Sequence, residues 1–252
     1  MDRKIGILQP GYLPWSGYFD LLSVSDHFIL YDDVQFTKND WRNRNRLLQR
    51  DVPVWISVPV LHKNRLNNTI RNTQIADSSL WRRKHLAKIR SLYGKAPYFS
   101  WLYPELERYL NQDYRWLIDL CWDGHQCLGS LLQISTPVAF SSELGFKGLG
   151  KTERLVALCD ELKGNHYIAT NASANYLDPE LFEQAKIKLS YQNYDPKEYS
   201  QTLMNDTVPA QRTHISHLSV VDLMMFAGPE AKQIISHTPL FMRYTSTKKS
   251  KN

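Results

Sequence analysis

The stretch IGILQPGYLPWSGYFDLLSVSDHFILYDD, residues 5–33, decides the fold. Ile5-Gly6-Ile7-Leu8 is a short apolar run suited to a buried strand. Gln9-Pro10-Gly11-Tyr12-Leu13-Pro14 ends it with proline and glycine, the strongest local breakers. Gly17 to Val24 then places Phe19, Leu21 and Leu22 at helical spacing. His27 to Tyr31 is a second apolar run, and it stops at Asp32-Asp33. Strand, turn, helix and strand within about 30 residues make a βαβ unit. Such a unit implies parallel strands joined by a right-handed crossover. The predicted class is therefore α/β, with a Rossmann-like, mostly parallel sheet.

Working outward, Trp41 to Leu48 and the alternating, β-branched Val52 to Val60 read as a β-hairpin. Ser78 to Tyr93, Phe99 to Leu110 and Tyr114 to Leu132 are helical in period, a helical insertion over about 77–133. Pro104 is placed at the true start of the second of these helices, where a missing N–H costs least. Pro137 to Phe140, Thr152 to Leu162 and His166 to Ala169 form a second strand–helix–strand run. Ile187 to Tyr191 is another strand, and Ser219 to Phe226 and Pro229 to Ile235 are helices. One domain is expected over 1–242, followed by a basic tail at 243–252.

Composition narrows the function. Hydrophobic residues are 42% and charged residues 22% of 252, an ordinary globular balance. No apolar run approaches the roughly 18–20 residues of a spanning helix. The N-terminus lacks a signal-peptide core, so a cytoplasmic location is expected. Cys121, Cys127 and Cys159 are too few and wrongly spaced for disulfides or a zinc finger, and are expected as buried thiols. The net charge of +6 is unevenly spread: residues 38–95 hold 14 Lys and Arg against Asp40, Asp51 and Asp77, so the remainder carries −5. Such a cluster suits phosphate groups, nucleic acid or an acidic partner. Its other reading is a solvated helix face at Arg82, Arg83, Lys84, Lys88 and Arg90.

Four constellations have chemistry in them. Gln9 and the turn after the first strand, with Tyr12 and Tyr18, stand where open α/β sheets bind ligands. Enzymes that transfer nucleotidyl groups place two histidines in this loop; here those positions are Ser16 and Tyr18, against adenylyl transfer. Asp32 and Asp33 end a strand and are followed by Gln35, Lys38, Trp41, Asn43, Arg44 and Asn45. If 41–47 is extended, Trp41, Asn43 and Asn45 face one way and Arg42, Arg44 and Arg46 the other. An Asp here suits a general base or its orienter. An Arg suits a diphosphate. Gly145 to Thr152, with Gly150-Lys151-Thr152, satisfies the bare phosphate-loop pattern. Finally, His217 precedes a helix whose Ser219 and Asp222 look like a capping box, and it is a candidate acid or base. His214-x-x-His217 is too sparse for a metal site, and no metal is expected.

These residues resemble the WbqC-like family. The resemblance rests on Ile7-Leu8-Gln9-Pro10 with Tyr12, Pro14, Gly17, Tyr18 and Phe19. Tyr31 to Gln35, Lys38, Trp41 and Asn43-Arg44-Asn45 extend it, followed by Lys151 to Leu155 with Arg154, and His217-Leu218-Ser219 with Asp222. The family often carries a glycine-rich stretch before a Tyr-Leu pair; here 169–177, ending in Tyr176-Leu177, has no glycine. The resemblance implies a role in bacterial surface-polysaccharide or O-antigen synthesis. The implied activity is transfer of an acyl or aminoacyl group, such as glycyl, to a nucleotide-linked amino sugar. Asp32, Asp33 or His217 would be the base, and Lys38, Asn43 or Asn45 oxyanion donors. The donor would come from a carrier protein or a charged tRNA, with no further cofactor. A non-catalytic nucleotide-sugar, anion or nucleic-acid binding module and a phosphate-loop hydrolase are the alternatives.

Overall fold

The computed structural model describes residues 2–61, 68–76, 79–203, 214–235 and 240–241. The elements begin with β1 (Lys4–Leu8), α1 (Ser16–Val24) and β2 (His27–Leu30), as the opening stretch dictates. A hairpin, β3 (Arg44–Gln49) and β4 (Val52–Ser57), follows. Next come α2 (Ser79–Tyr93), α3 (Phe99–Leu110) and α4 (Leu117–Leu131). The second half is β5 (Val138–Phe140), α5 (Ser141–Leu144), α6 (Lys151–Glu161), β6 (His166–Thr170), α7 (Pro179–Gln184) and β7 (Lys188–Gln192). It closes with α8 (Val220–Ala227), α9 (Ala231–Ile235) and β8 (Leu240–Phe241).

Among the described residues, six strands form one sheet in the order β5-β2-β1-β6-β7-β8. All neighbours are parallel except β7 and β8. The chain leaves β1 toward β2 and β5 on one side, then returns to build β6 and β7 on the other. The connections from the carboxyl ends of β1 and β6 therefore run to opposite sides, the switch point at which open α/β sheets form their ligand crevice. The sheet is Rossmann-like, as expected. The second strand–helix–strand run is not a neighbouring pair, since β2 and β1 stand between β5 and β6. The adjacent crossover on that side is β6–α7–β7 instead.

Strand residues alternate between two cores, as a period of two requires. Ile5, Ile7 and Ile29 pack with Leu158, Tyr167 and Phe182 on the side of α6 and α7. Phe28 and Leu30 pack with Phe19, Leu106, Leu120 and Met224 on the side of α1, α2–α4 and α8. Gly6 is needed between them: a Cβ there would stand 2.4 Å from Ser25 Oγ. Pro104 lies inside α3 rather than at its start. The buried face Leu102, Tyr103, Leu106, Tyr109 and Leu110 holds the helix through the lost hydrogen bond. Asp222 is no capping partner either. Ser219 alone caps α8, accepting from the Val221 amide, while Asp222 turns into the core. The region 243–252 lies outside the described residues, as does Ser78. Among the described residues no helix is long and apolar enough to cross a membrane.

Candidate functional site

The two aspartates that end β2 build one wall of the crevice. Asp32 is fully buried, and its carboxylate holds the start of α5. Oδ1 accepts from the Ser142 amide (3.0 Å) and Ser141 Oγ (3.1 Å), and Oδ2 from Ser142 Oγ (2.8 Å) and Arg71 (3.0 Å). Three donors and a Ser141 hydroxyl shared with Asp33 surround the carboxylate, which makes Asp32 an anchor of this wall. Asp33 accepts from Ser141 Oγ (2.6 Å) and from one Arg154 nitrogen at 2.8 and 2.7 Å, with Lys147 Nζ at 3.9 Å. Ser141 Oγ lies within hydrogen-bonding distance of both carboxylates. Arg154 also lies over the Tyr31 ring, 4.8 Å from its centroid. Burial raises the Tyr31 phenol above its ordinary pKa, and the Arg154 charge opposes the rise.

The opposite wall carries Arg42 and Tyr176. The Arg42 guanidinium is paired with Asp40 at 3.4 Å. Burial lowers its pKa, and Asp40, Cys121 and Tyr176 act against that loss. The Tyr176 hydroxyl is near enough to act electrostatically on both Arg42 and Tyr31. It hydrogen-bonds Ser173 Oγ at 3.1 Å and the side chain is 57% exposed. At the end of β1, Gln9 Oε1 is buried and has no hydrogen-bond partner among the described residues. A buried acceptor without a partner costs roughly 1–3 kcal/mol, which a ligand donor would recover. Behind Asp32, Arg71 also lines a cavity of about 440 Å³ with Trp116, Asp119, Trp122, Phe140 and Glu143.

His217 stands elsewhere on the same carboxyl-end rim. It stacks on Trp15 (5.2 Å, 16° between planes), and Trp15 meets Tyr194, just beyond β7, edge-on. Gly17 makes room for this, because a Cβ there would stand 2.4 Å from the Trp15 ring. His217 Nδ1 lies 2.8 Å from Ser216 Oγ. Its backbone is left-handed, with φ 58°, a strained geometry often kept where a side chain must point one way. His214 does not join it as a metal pair; it packs edge-on against Tyr199.

Other expected site residues are drawn away from the crevice. Tyr12 and Tyr18 are core residues whose hydroxyls meet His85 Nδ1 (2.9 Å) and His125 Nδ1 (2.7 Å). Asn45 donates to the Leu13 carbonyl (2.7 Å), fixing the hairpin to the loop after β1, and Asn43 donates to the Val58 carbonyl (2.7 Å), closing the hairpin's own base. Neither is a free oxyanion donor. β3 starts only at Arg44, so the alternation does not reach Trp41. Trp41 shares a face with Arg44, Arg46 and Trp55, while Arg42 turns to the crevice. Gln35 and Lys38 are exposed, Gln35 bridging to Thr69 through its backbone. The phosphate-loop reading is corrected. A helical turn, α5, separates β5 from Gly145, and Thr152 is buried with its hydroxyl accepting from the Asp178 amide (3.1 Å). Lys151 is exposed at the start of α6.

Sequence reasoning missed Arg71, Lys147 and the Ser141-Ser142 pair as partners of the aspartates, and Arg42 as the partner of Asp40. Arg71 is 39 residues and Ser141 more than 100 residues from them along the chain, so no local spacing shows the contact. The buried thiols stand as expected for Cys121 and Cys159, whose pKa values burial pushes up.

The WbqC-like protein family matches residues 9–234 of the chain. The chain is also 35% identical over 246 residues to the "Uncharacterized protein Rv1507c" of Mycobacterium tuberculosis, covering 96% of this chain and 98% of the relative. No solved structure matches it significantly.

Proposed function

The chain belongs to the WbqC-like family, and from that premise we propose that it transfers an acyl or aminoacyl group to the amine of a nucleotide-linked amino sugar. The observation that carries the reading is the crevice at the strand-order reversal, with Arg42 and Arg154 on its two walls and the unpartnered Gln9 Oε1 at the end of β1. Two guanidinium groups suit a diphosphate, which planar forks grip well. Tyr31 and Tyr176 offer flat faces for a nucleoside base. Asp33 orients Arg154 for that contact.

The transfer needs a neutral amine. With Nδ1–H given to Ser216 Oγ, the Nε2 lone pair of His217 serves as the proton acceptor. The amine nitrogen forms a bond to the donor's carbonyl carbon, and the bond from that carbon to the donor's sulfur or oxygen breaks. The proton taken by His217 passes to the leaving thiolate or alkoxide. Asp32, held by Arg71 and the Ser141-Ser142 pair, acts in this scheme as the anchor of the Asp33–Arg154 wall.

Incubation of the purified protein with UDP- or dTDP-linked amino sugars and acyl or glycyl donors tests the reading. The sugar product should gain the mass of the donor's acyl group, and Arg154→Ala should abolish the gain. Absence of a gain with thioester, carrier-protein and tRNA donors alike would sink it.

A further inference from the structure

The β3–β4 hairpin carries exposed tryptophans that the crevice does not use. Trp41 is 41% and Trp55 42% exposed, and their ring centroids are 5.2 Å apart. Arg44 lies over Trp55 at 4.0 Å, and Arg46 over Trp41 at 5.2 Å. The polar partners of these cations are backbone carbonyls. Arg44 donates to Asn39, Arg46 to His217 (3.0 Å), and Lys88 to Trp55 (2.9 Å). Among the described residues, Arg46 and Lys88 form no ion pair.

The chain of contacts continues off the hairpin. Arg46 reaches the His217 backbone, His217 stacks on Trp15, and Trp15 meets Tyr194 at 5.3 Å. Flat rings and guanidinium planes thus follow one another from Trp55 to the rim of the sheet. Leaving two tryptophans this exposed is uncommon unless they bind something. Arg44 shares the field of Asp40, but Arg46 and Lys88, cations without an ion pair beside stacking faces, match a strand whose phosphates are outside and whose bases are unpaired. An acidic protein would satisfy the charge but leave the rings without partners. A duplex would hide its bases from them.

We infer that this strip, Trp55, Trp41, Arg44, Arg46, Lys88 and Trp15, binds single-stranded nucleic acid by stacking its bases and pairing its phosphates at the three cations. Because the strip reaches His217, a bound strand would bring one end to the proposed proton acceptor. That consequence rests on the transfer reading; the binding does not.

Fluorescence anisotropy of the full chain with a labelled single-stranded RNA of about twelve nucleotides reads the binding directly, with no acyl group present. Binding should weaken with salt with a log–log slope of about −2, for three phosphate contacts. Trp41→Ala and Trp55→Ala should each weaken it at least about fivefold. Their unfolding midpoints should stay near the parent's, since both rings are exposed. Lys88→Gln, outside the aromatic stack, should lower the salt slope and serves where a tryptophan variant misfolds. The same sequence as DNA distinguishes the two sugars, and binding of either strand supports the inference. Three results would overturn it: no binding at low salt, a duplex bound as tightly, or poly-glutamate displacing the probe while the tryptophan variants bind normally.

Discussion

Two buried carboxylate centres do opposite work in this molecule. Asp222, fully buried on α8, is satisfied by neutral donors: Tyr93 (2.7 Å), Tyr199 (2.6 Å) and Gln201 (3.0 Å). Tyr93 in turn accepts from the Leu48 amide, so one carboxylate ties α8 to α2 and β3. Burial raises its pKa, and the hydrogen bonds from Tyr199, Tyr93 and Gln201 restrain the rise. Asp32 and Asp33 are satisfied chiefly by cations and serines, and the cations reach solvent: Arg71 is 46% and Lys147 71% exposed. A carboxylate closed by phenols and an amide has no partner that a ligand can borrow. One closed by arginines at a rim has. The difference makes Asp222 architectural and the aspartate pair the candidate for a site.

Breaking the architectural centre should give the largest effect. Asp222→Ala leaves Tyr93, Tyr199 and Gln201 without their acceptor inside the core, a loss of about 3–5 kcal/mol. Chemical denaturation should show the unfolding free energy falling by that amount, through a lower midpoint. An unchanged midpoint would mean that the hub is not what joins α8 to the hairpin. Arg154→Ala is the matching change at the rim. It leaves Asp33 buried beside Lys147 and Ser141 Oγ alone, so we expect about 3 kcal/mol of destabilisation together with loss of nucleotide-sugar binding. Calorimetric titration with the nucleotide sugar separates the two readouts. Asp222→Asn, which keeps one acceptor oxygen, should retain binding in a less stable protein. If it loses binding as fully as Arg154→Ala, the division between the two centres is wrong.

Much of this was legible in the sequence, and unevenly so. Residues 5–33 specify strand, helix and strand through local period, and the sheet follows them. Gln9 and Asp33 were recognisable because strand ends are where ligands meet open sheets, Arg154 because it lies in the helix start after Gly150, and Tyr176 through the family resemblance alone. Direction was not legible. Tyr12 and Tyr18 sit in the loop and helix beside the site, yet each turns inward to an imidazole more than 70 residues away. The alternation through 41–47 failed because the strand begins at Arg44, so Arg42 and Trp41 exchanged faces. The Ser219–Asp222 spacing resembles a capping box, but three distant donors outcompeted the helix end for the carboxylate. Where a side chain's partner is local, pattern finds it; where it is tertiary, the same pattern points to the wrong bond.

The imidazoles behind Tyr12 and Tyr18 sharpen the contrast through pH. Burial lowers the pKa of His85 and of His125 from 6.5 to about 4. Both are therefore neutral in the folded chain, whereas the unfolded chain takes up protons below pH 6.5. Their contribution is complete above pH 6.5 and is lost as the pH falls toward about 4, by up to about 1.4 kcal/mol per pH unit for each ring. Thermal unfolding across that range should show the slope, and the double variant His85→Gln, His125→Gln should flatten it. A slope equal to the parent's would place the acid sensitivity in other groups.

The smallest expected effect decides between two readings of one motif. Thr152 occupies the position where a phosphate loop places a hydroxyl on magnesium. Here that hydroxyl accepts from the Asp178 amide, and Asp178 caps α7 through the Glu180 amide (3.0 Å). Thr152→Val keeps the shape and removes the acceptor, so the Asp178 amide loses its bond at about 1 kcal/mol. As a brace for α7, Thr152 should show that loss in the unfolding midpoint, with nucleotide-sugar binding close to the parent's. As a phosphate-loop threonine, it should leave the midpoint alone and abolish magnesium-dependent nucleotide turnover. The buried side chain, 4% exposed, faces the wrong way for the second outcome. The motif's glycines and lysine are then the start of α6, the helix that delivers Arg154 to Asp33.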